Sequence, residues 1–560
     1  MNATRLTLVA LLALTSTVVG GQRLWLDHVE LTRPLGATWP TYSGDYTGKR
    51  YSALTQLNTS TVKGLALAWT ARVTPGPNGG GRGGGAPTII GGEGPDSALG
   101  AGSANIKGSI LQVNDVLYVT APDNVWAVDA RDGRTIWHYF WKTRGGIHIG
   151  NRGVGIYGDW LFFETPDNYL VSLDARTGKE RWHTTIASFE HQYFSTPAPV
   201  IVRDHVLVGT GNDLDAPGFL QSFDPRDGTL RWKFYTVPMN PDDPGADSWG
   251  SIDAARHGGA QPWMPGSYDP ETNLYYIGTG NPTPAFMTGP RGPGDHLFTN
   301  SLVAVDVDTG KMAWAYQTGP RDTHDWDSAQ TPILYDGEFN GRPRKLIMTA
   351  ARNGYFFVLD RVTGEHLLTS TFADVVNWST GLNAKGQPIP DATKDPSVGG
   401  ALVSMSTGGA VNWQPPSFSP QTGLFYVPVA ASYAMFSLTE TDPRGAMGLG
   451  GFAQTPLGTN SNYLAAIDYR TGKIVWRHTY PPISGSAGNG VLSTAGGLVF
   501  AGDISGNFVA YDARDGGILW HARIGNVSNA PQTYLIDGRQ HVLVAAGDAL
   551  FAFVLMDESR

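Results

Sequence analysis

A short pattern recurs along the chain and leaves few folds open to it. It reads AVDARDGRTIW at 127–137, SLDARTGKERW at 172–182, SFDPRDGTLRW at 222–232, AVDVDTGKMAW at 304–314, AIDYRTGKIVW at 466–476 and AYDARDGGILW at 510–520. VLDRVTGEHLL at 358–368 is the same unit with Leu368 in the tryptophan's place, and LALAWT ends a truncated copy on Trp69. Alternating apolar residues make a strand, Asp-x-x-x-Gly makes the hairpin turn, and the next strand delivers the indole. A unit of this size cannot bury both faces alone, so it needs a neighbour on either side. The spacings match propeller blades of about 40–50 residues, and the unit-ending positions are 69, 137, 182, 232, 314, 368, 476 and 520. The expectation is an all-β chain, an eight-bladed β-propeller with tryptophan-docking motifs. Unrelated hairpins in separate sandwiches are the competing reading.

A length of 560 residues suggests three or four domains, but a repeat overrides that prior, and residues 22–560 read as one propeller domain. Residues 75–104 are too glycine-rich to pack and are expected to form a surface loop. Long inserts fall within 233–300 and 369–460, and such inserts in a propeller build or cover a site at one end of the channel. Residues 1–21 read as a signal peptide: one arginine precedes an apolar run with small residues behind it. The run is short of the roughly 20 residues a membrane span takes, so export to the periplasm is expected, with an uncleaved anchor as the alternative.

The net charge of −9 offers no basic stripe for nucleic acid. Cysteine is absent, which excludes disulfides, cysteine-ligated metal and covalently attached haem. Any redox chemistry must use a non-covalently held cofactor. Among the motifs, HDWDSAQ at 324–330 sets Asp325 and Asp327 on one side of an extended segment. By itself this is either a solvated acidic turn or the floor of an active site. Asn281 in YYIGTGNP and Asp213 in GTGNDLDAPGF are hard oxygen donors, although Gly-Asn-Pro is equally a turn.

The repeat, together with the opening TWPTYSGDYTGKRYSALTQLNTSTVKGLALAWT, resembles the pyrroloquinoline quinone (PQQ)-dependent alcohol dehydrogenases over about residues 38–555. That resemblance implies a site. Asp325 matches the base that takes the substrate hydroxyl proton, with His324 and Trp326 replacing the family's Trp and Tyr. Asp327 matches the second acid of lanthanide-binding members, which favours a lanthanide over Ca²⁺ as the one metal ion. Asn281 and Asp213 match the other metal ligands, Asp213 standing where the family has glutamate and Asp215 being its possible substitute. Trp263 matches the indole under the quinone plane, and Arg352 the arginine at the quinone oxygens, a fork that would stabilise the reduced cofactor. Asn412 and Trp413, with Arg152, Thr165 and Thr196, match further cofactor contacts.

Three positions depart from the family. Gly146-Ile147 replaces a cysteine pair, Lys107 replaces a glutamate and is expected to pair with a cofactor carboxylate, and Gly488 replaces a tryptophan. The implied function is oxidation of a small-molecule alcohol, with electrons passed to a soluble acceptor such as cytochrome c; a homodimer is allowed. The alternatives are a non-catalytic scaffold of the outer-membrane assembly type, which shares the repeat, and a PQQ sugar or polyol dehydrogenase.

Overall fold

The computed structural model describes residues 25–26, 28–77, 86–96, 104–146, 150–328, 330–439, 451–481 and 490–556. The repeat forms hairpins as its chemistry dictates. In the unit at 172–182, the Asp174 carboxylate accepts the Thr177 N–H and hydroxyl at 2.8 and 2.7 Å, and Gly178 N–H closes the turn on Asp174 O. The pairing slips by one residue between Ser172 and Leu173, just past the partner of Trp182, and the same slip recurs opposite Trp232, Trp314, Trp476 and Trp520. A bulge at one fixed place twists every outer strand alike.

These hairpins belong to antiparallel meanders. Val200–Val202, His205–Val208, Phe219–Phe223 and Leu230–Tyr235 follow one another in a four-stranded sheet. Among the described residues there are eight four- or five-stranded sheets and one separate two-stranded hairpin, Ser379–Leu382 with Pro388–Pro390. Leu65–Arg72 is the outer strand of a sheet whose other three strands are Gln532–Ile536, Arg539–Ala546 and Ala549–Leu555. The truncated copy ending on Trp69 thus ties the start of the fold to its end.

Each indole lies on the turn of the next unit. A Cβ on Gly178 would stand 2.6 Å from Trp137, and one on Gly228 2.8 Å from Trp182. The same contact joins Trp69 to Gly133, Trp232 to Gly310, Trp314 to Gly364 and Trp476 to Gly516, while Leu368 takes the indole's place over Gly472. The indole N–H also donates across: Trp69 to Ala130 O, Trp182 to Arg226 O, Trp232 to Val307 O, Trp314 to Arg361 O and Trp520 to Leu65 O, at 2.8–3.1 Å. Trp137 Nε1 has no such partner, although Ala175 O takes the Tyr118 hydroxyl just as Arg361 O and Ala513 O take those of Tyr276 and Tyr426 beside the indole.

One expectation is corrected. Within 75–104, Thr88–Gly91 is a strand, paired in parallel with Thr135–Trp141 as the fifth strand of its sheet. The β-branched Thr-Ile-Ile run meets an outer strand with free backbone groups, and that overrides the glycine content around it. Residues 78–85 and 97–103 of this stretch, like residues 1–21 read as a signal peptide, lie outside the described residues.

The indole contact predicts a measurable asymmetry between glycines. Gly178 and Gly341 both have positive φ, +70° and +71°, but nothing stands within 4 Å of a Cβ on Gly341. Gly341→Ala therefore costs about 1 kcal/mol, the backbone penalty alone. Gly178→Ala costs roughly 2–4 kcal/mol, since Trp137 must also be displaced. Urea unfolding midpoints of the two variants check this, and equal shifts would show that the indole contact contributes nothing.

Candidate active site

In an antiparallel meander the residue before the first strand and the residue after the second lie at the same end of the sheet. The motif residues occupy these two places. Lys107, Arg152, Thr196, Trp263, Asp325, Asp327 and Trp413 precede first strands beginning at Leu111, Gly155, Val200, Ser267, Ile333 and Ser417. Asp213, Asn281 and Arg352 follow second strands ending at Val208, Gly278 and Ala350. Eleven of the twelve predicted positions, with Asn412 added to these ten, line one cavity of about 340 Å³. The inserts supply Trp263, Asn281, Asn412 and Trp413, in keeping with their expected role.

Thr165 is the exception. It is buried, but its hydroxyl donates to Asp167 Oδ1 at 2.6 Å and accepts the Tyr169 N–H, so it closes a turn and does not line the cavity. Asp215 also lies elsewhere, in a neighbouring groove where its carboxylate is 3.8 Å from His257. Asp213 is therefore the acid facing the cavity. Gly146 lies at the Pro166 carbonyl, outside the cavity lining, whereas Ile147 and Gly488 fall outside the described residues.

Asp327 is held by three donors: Asn281 N–H at 2.6 Å, Trp263 Nε1 at 3.0 Å and the Arg352 guanidinium at 2.5 Å. Gly280 makes this approach possible, since a Cβ there would stand 3.0 Å from Asp327 Oδ1. Asp325 lies 3.7 Å from the same guanidinium, which also donates to Thr407 O. Arg352 keeps its proton although burial opposes it, because the charges of Asp327, Asp325 and Asp322 hold it.

The acids feel the reverse. Burial pushes Asp325 well above the usual carboxylate range, aided by Asp327, Asp322 and Asp213 and opposed by Arg352. Asp327 rises for the same first reason, and Asp213 is pushed up to about 6 by burial and by Asp327. Three carboxylates line one cavity and lie near one guanidinium. Among the described residues no ready cage of three histidine or carboxylate side chains closes on a point. Yet the donor set, three carboxylates with the Asn281 amide oxygen, suits a hard cation that would lower all three acids at once.

The rest of the lining is aromatic and basic, and Trp263 joins it to the acids through Asp327. The Arg152 guanidinium is buried, 4.8 Å from the Trp263 ring centre and 5.6 Å from that of Trp413. Burial holds its pKa down to about 10, and Lys107 beside it is lowered by burial and by Arg152. Arg152 Nε and Arg352 Nε are both buried donors without a protein acceptor. Flat indoles, two unfilled guanidinium donors and a lysine fit a planar polyanion bearing ring oxygens. Glu164, buried behind Arg152 with both carboxyl oxygens unpartnered, was not foreseen from sequence. It merely ends the apolar strand Trp160–Glu164 and leaves no motif.

Trp326 does not reach the cavity. It is buried beneath the segment, stacks on His324 with ring centres 4.3 Å apart, and donates to Ser406 O at 2.8 Å.

Comparison with known proteins places this geometry. A family model described as glucose/ethanol/alcohol dehydrogenase, β-propeller domain, matches residues 39–396, and one described as outer membrane protein assembly factor BamB matches 460–557. Quinoprotein alcohol dehydrogenase PedH of Pseudomonas putida is 34% identical, the alignment covering 89% of this chain and 84% of that protein. Quinohemoprotein alcohol dehydrogenase of Comamonas testosteroni is also 34% identical, over 94% of this chain and 75% of its own length. Its crystal structure superposes with a TM-score of 0.82 at 30% identity, covering 96% and 83% of the two chains. A europium-containing methanol dehydrogenase superposes at 0.77 and 25% identity, covering 94% and 99%.

The raised acids set the pH response of the cation-free chain. Folded Asp213 keeps its proton up to about pH 6, whereas its ordinary value is 3.8. Between those values the folded state binds more protons than the unfolded one, so stability falls as pH rises. The unfolding midpoint of the apo chain should drop from pH 4 to pH 6, and drop less in Asp213→Asn. A midpoint that rises through this window in the wild type would contradict the assignment.

Proposed function

The chain belongs to the PQQ-dependent alcohol dehydrogenase family and is an enzyme of that class, and we propose that it oxidises a small alcohol at the cavity described above. The observation that carries this reading is the meeting of Asp213, Asn281, Asp325, Asp327 and Arg352 in one cavity with Trp263, Trp413 and Arg152. An eight-bladed propeller with docked tryptophans is the architecture we propose, supported by the eight sheets and by the indole-on-glycine contacts between successive units.

Trp263 and Trp413 would flank the quinone, Arg152 and Lys107 would take its carboxylates, and Arg352 would reach its ring oxygens with the donor left unfilled. When bound, the quinone supplies a two-electron acceptor and the cation supplies Lewis acidity. The chain's own part is positional and proton-handling. Asp325 accepts the alcohol's hydroxyl proton; burial makes its carboxylate a stronger base than a solvated one, and an adjacent cation keeps it ionised. Arg352 holds Asp327 and faces Asp325, so the acid wall stays in register.

The metal we favour is a lanthanide, with Ca²⁺ as the alternative. Support comes from the third carboxylate, Asp327, because hard trivalent ions gain from each added oxygen charge, and from a structural relative that contains europium. Electrons would leave to a separate soluble acceptor, a cytochrome c being the expected kind, and export to the periplasm would place the chain beside such a carrier. The match of 460–557 to an assembly-factor model favours a scaffold reading for that segment alone; it contains two of the docking repeats and none of the acid wall.

The test is reconstitution of the apo chain with PQQ and either La³⁺ or Ca²⁺, following dye reduction with ethanol, butanol and glucose. Turnover of an alcohol with La³⁺ supports the full reading, and turnover with Ca²⁺ alone removes the metal role given to Asp327. A preference for glucose would replace the alcohol by a sugar. Asp325→Asn should retain PQQ but lose at least about 10²–10³-fold in kcat; silence of the wild type with both metals would overturn the proposal.

A further inference from the structure

Asp325 sits in a backbone conformation that side-chain-bearing residues avoid. Its φ is +63°, and Arg321 four residues earlier has φ +50°. The left-handed region costs a residue such as Arg321 roughly 1–2 kcal/mol and an aspartate less, so the turn that carries both gains from being held from outside. The holding group is in plain view. Asp322 accepts the His324 N–H on Oδ1 at 3.2 Å and the Trp326 N–H on Oδ2 at 3.1 Å. One carboxylate thus grips the amide on each side of Asp325 and leaves Asp325's own side chain free to face the cavity.

Asp322 is itself fixed. It is 6% exposed, and its backbone carbonyl accepts from Arg291, a fully buried guanidinium that also bonds Met287 O and meets His296 Nδ1. From the other side, Asp395 of the second insert takes Arg321 and the Thr323 hydroxyl, both at 2.9 Å, and His324 Nε2 donates to Lys394 O. Asp322 does not line the cavity, and both its oxygens already serve backbone amides. It is placed to position a base, not to hold a metal or meet substrate.

We infer that Asp322 is a positioning residue for Asp325, acting through the two backbone amides that flank it and anchored by Arg291. This rests on reading Asp325 as the base. Removing the carboxylate releases both amides at once, the strained turn relaxes, and the base is displaced. Displacements of about 1 Å in such a group cost on the order of 10²-fold in rate.

The test uses Asp322→Ala and Asp322→Asn beside Asp325→Asn, all as the full chain. In the apo proteins, hydrogen exchange is followed at the amides of 324 and 326; with PQQ and metal added, turnover is expressed per bound quinone. Loss of a charge-assisted acceptor should speed exchange at both amides by about tenfold or more in Asp322→Ala. Asp322→Asn keeps one acceptor, so it should slow exchange and restore turnover part of the way. Turnover per bound quinone should fall about 10- to 100-fold in Asp322→Ala with KM for alcohol nearly unchanged, whereas a merely structural residue would lower quinone content and leave turnover per quinone intact.

Normal turnover per quinone in Asp322→Ala, with Asp325→Asn inactive, overturns the inference. If Asp325→Asn turns over normally, the base assignment fails instead, and exchange at 324 and 326 still decides whether Asp322 holds the loop. Should Asp322→Ala fail to fold, Asp322→Asn decides by the same two readouts.

Discussion

An indole needs a flat surface free of Cβ to lie on, and this chain provides one on the turn of the following unit. Trp137 over Gly178 and Trp182 over Gly228 show the arrangement, and the indole N–H adds a hydrogen bond to the neighbour's backbone in most copies. The contact is local in sequence yet it joins two sheets, so each unit is aligned on the next by the same geometry. A site assembled from many sheets depends on that regularity. If the units were tilted irregularly, the ends of first and second strands would not converge, and Asp213, Asn281, Asp325 and Arg352 would have no common cavity.

Within the cavity the decisive force is electrostatic. Burial raises all three carboxylates, Asp327 raises Asp213 and Asp325 further, and Arg352 is the cation that keeps the arrangement tolerable. In the same cavity Arg152 and Lys107 repel each other beside two indoles. A cation on the acid side and a polyanion on the basic side would relieve both, and this complementarity is a stronger argument for a metal and a quinone than any single residue.

The legible parts of the fold and the site are those encoded locally. The repeat names its own hairpins because an Asp-x-x-x-Gly turn needs no distant partner. Asp325, Asp327, Asn281 and Trp263 were singled out through the family resemblance, since Asp-Trp-Asp and Gly-Asn-Pro read equally well as turns, and the fold brings them to one cavity. What stayed hidden depends on distant contacts. The strand Thr88–Gly91 exists only because the outer strand Thr135–Trp141 offers an edge, and Thr165 matched a motif yet spends its hydroxyl on Asp167. Glu164 became notable only when its burial without partners could be seen. Asp322 is hidden for a different reason: it works on backbone amides, which are alike at every position, so no residue pattern advertises it.

The frame and the segment that carries the base therefore obey opposite rules. In the sheets each residue follows its propensity, and positive φ is left mostly to glycine or to turn asparagine and aspartate. At 321–327 the chain departs from that economy at Arg321, which is left-handed like Asp325, and a buried carboxylate pins the turn between them. Such a departure persists only where surrounding contacts over-determine it, and here they come from three directions: Arg291 of the first insert, Asp395 of the second, and Trp326 driven into the aromatic core. The inserts thus do more than lend side chains to the cavity wall. By gripping this segment from both flanks, they convert the repeating frame's general stability into the fixed position of a single carboxylate.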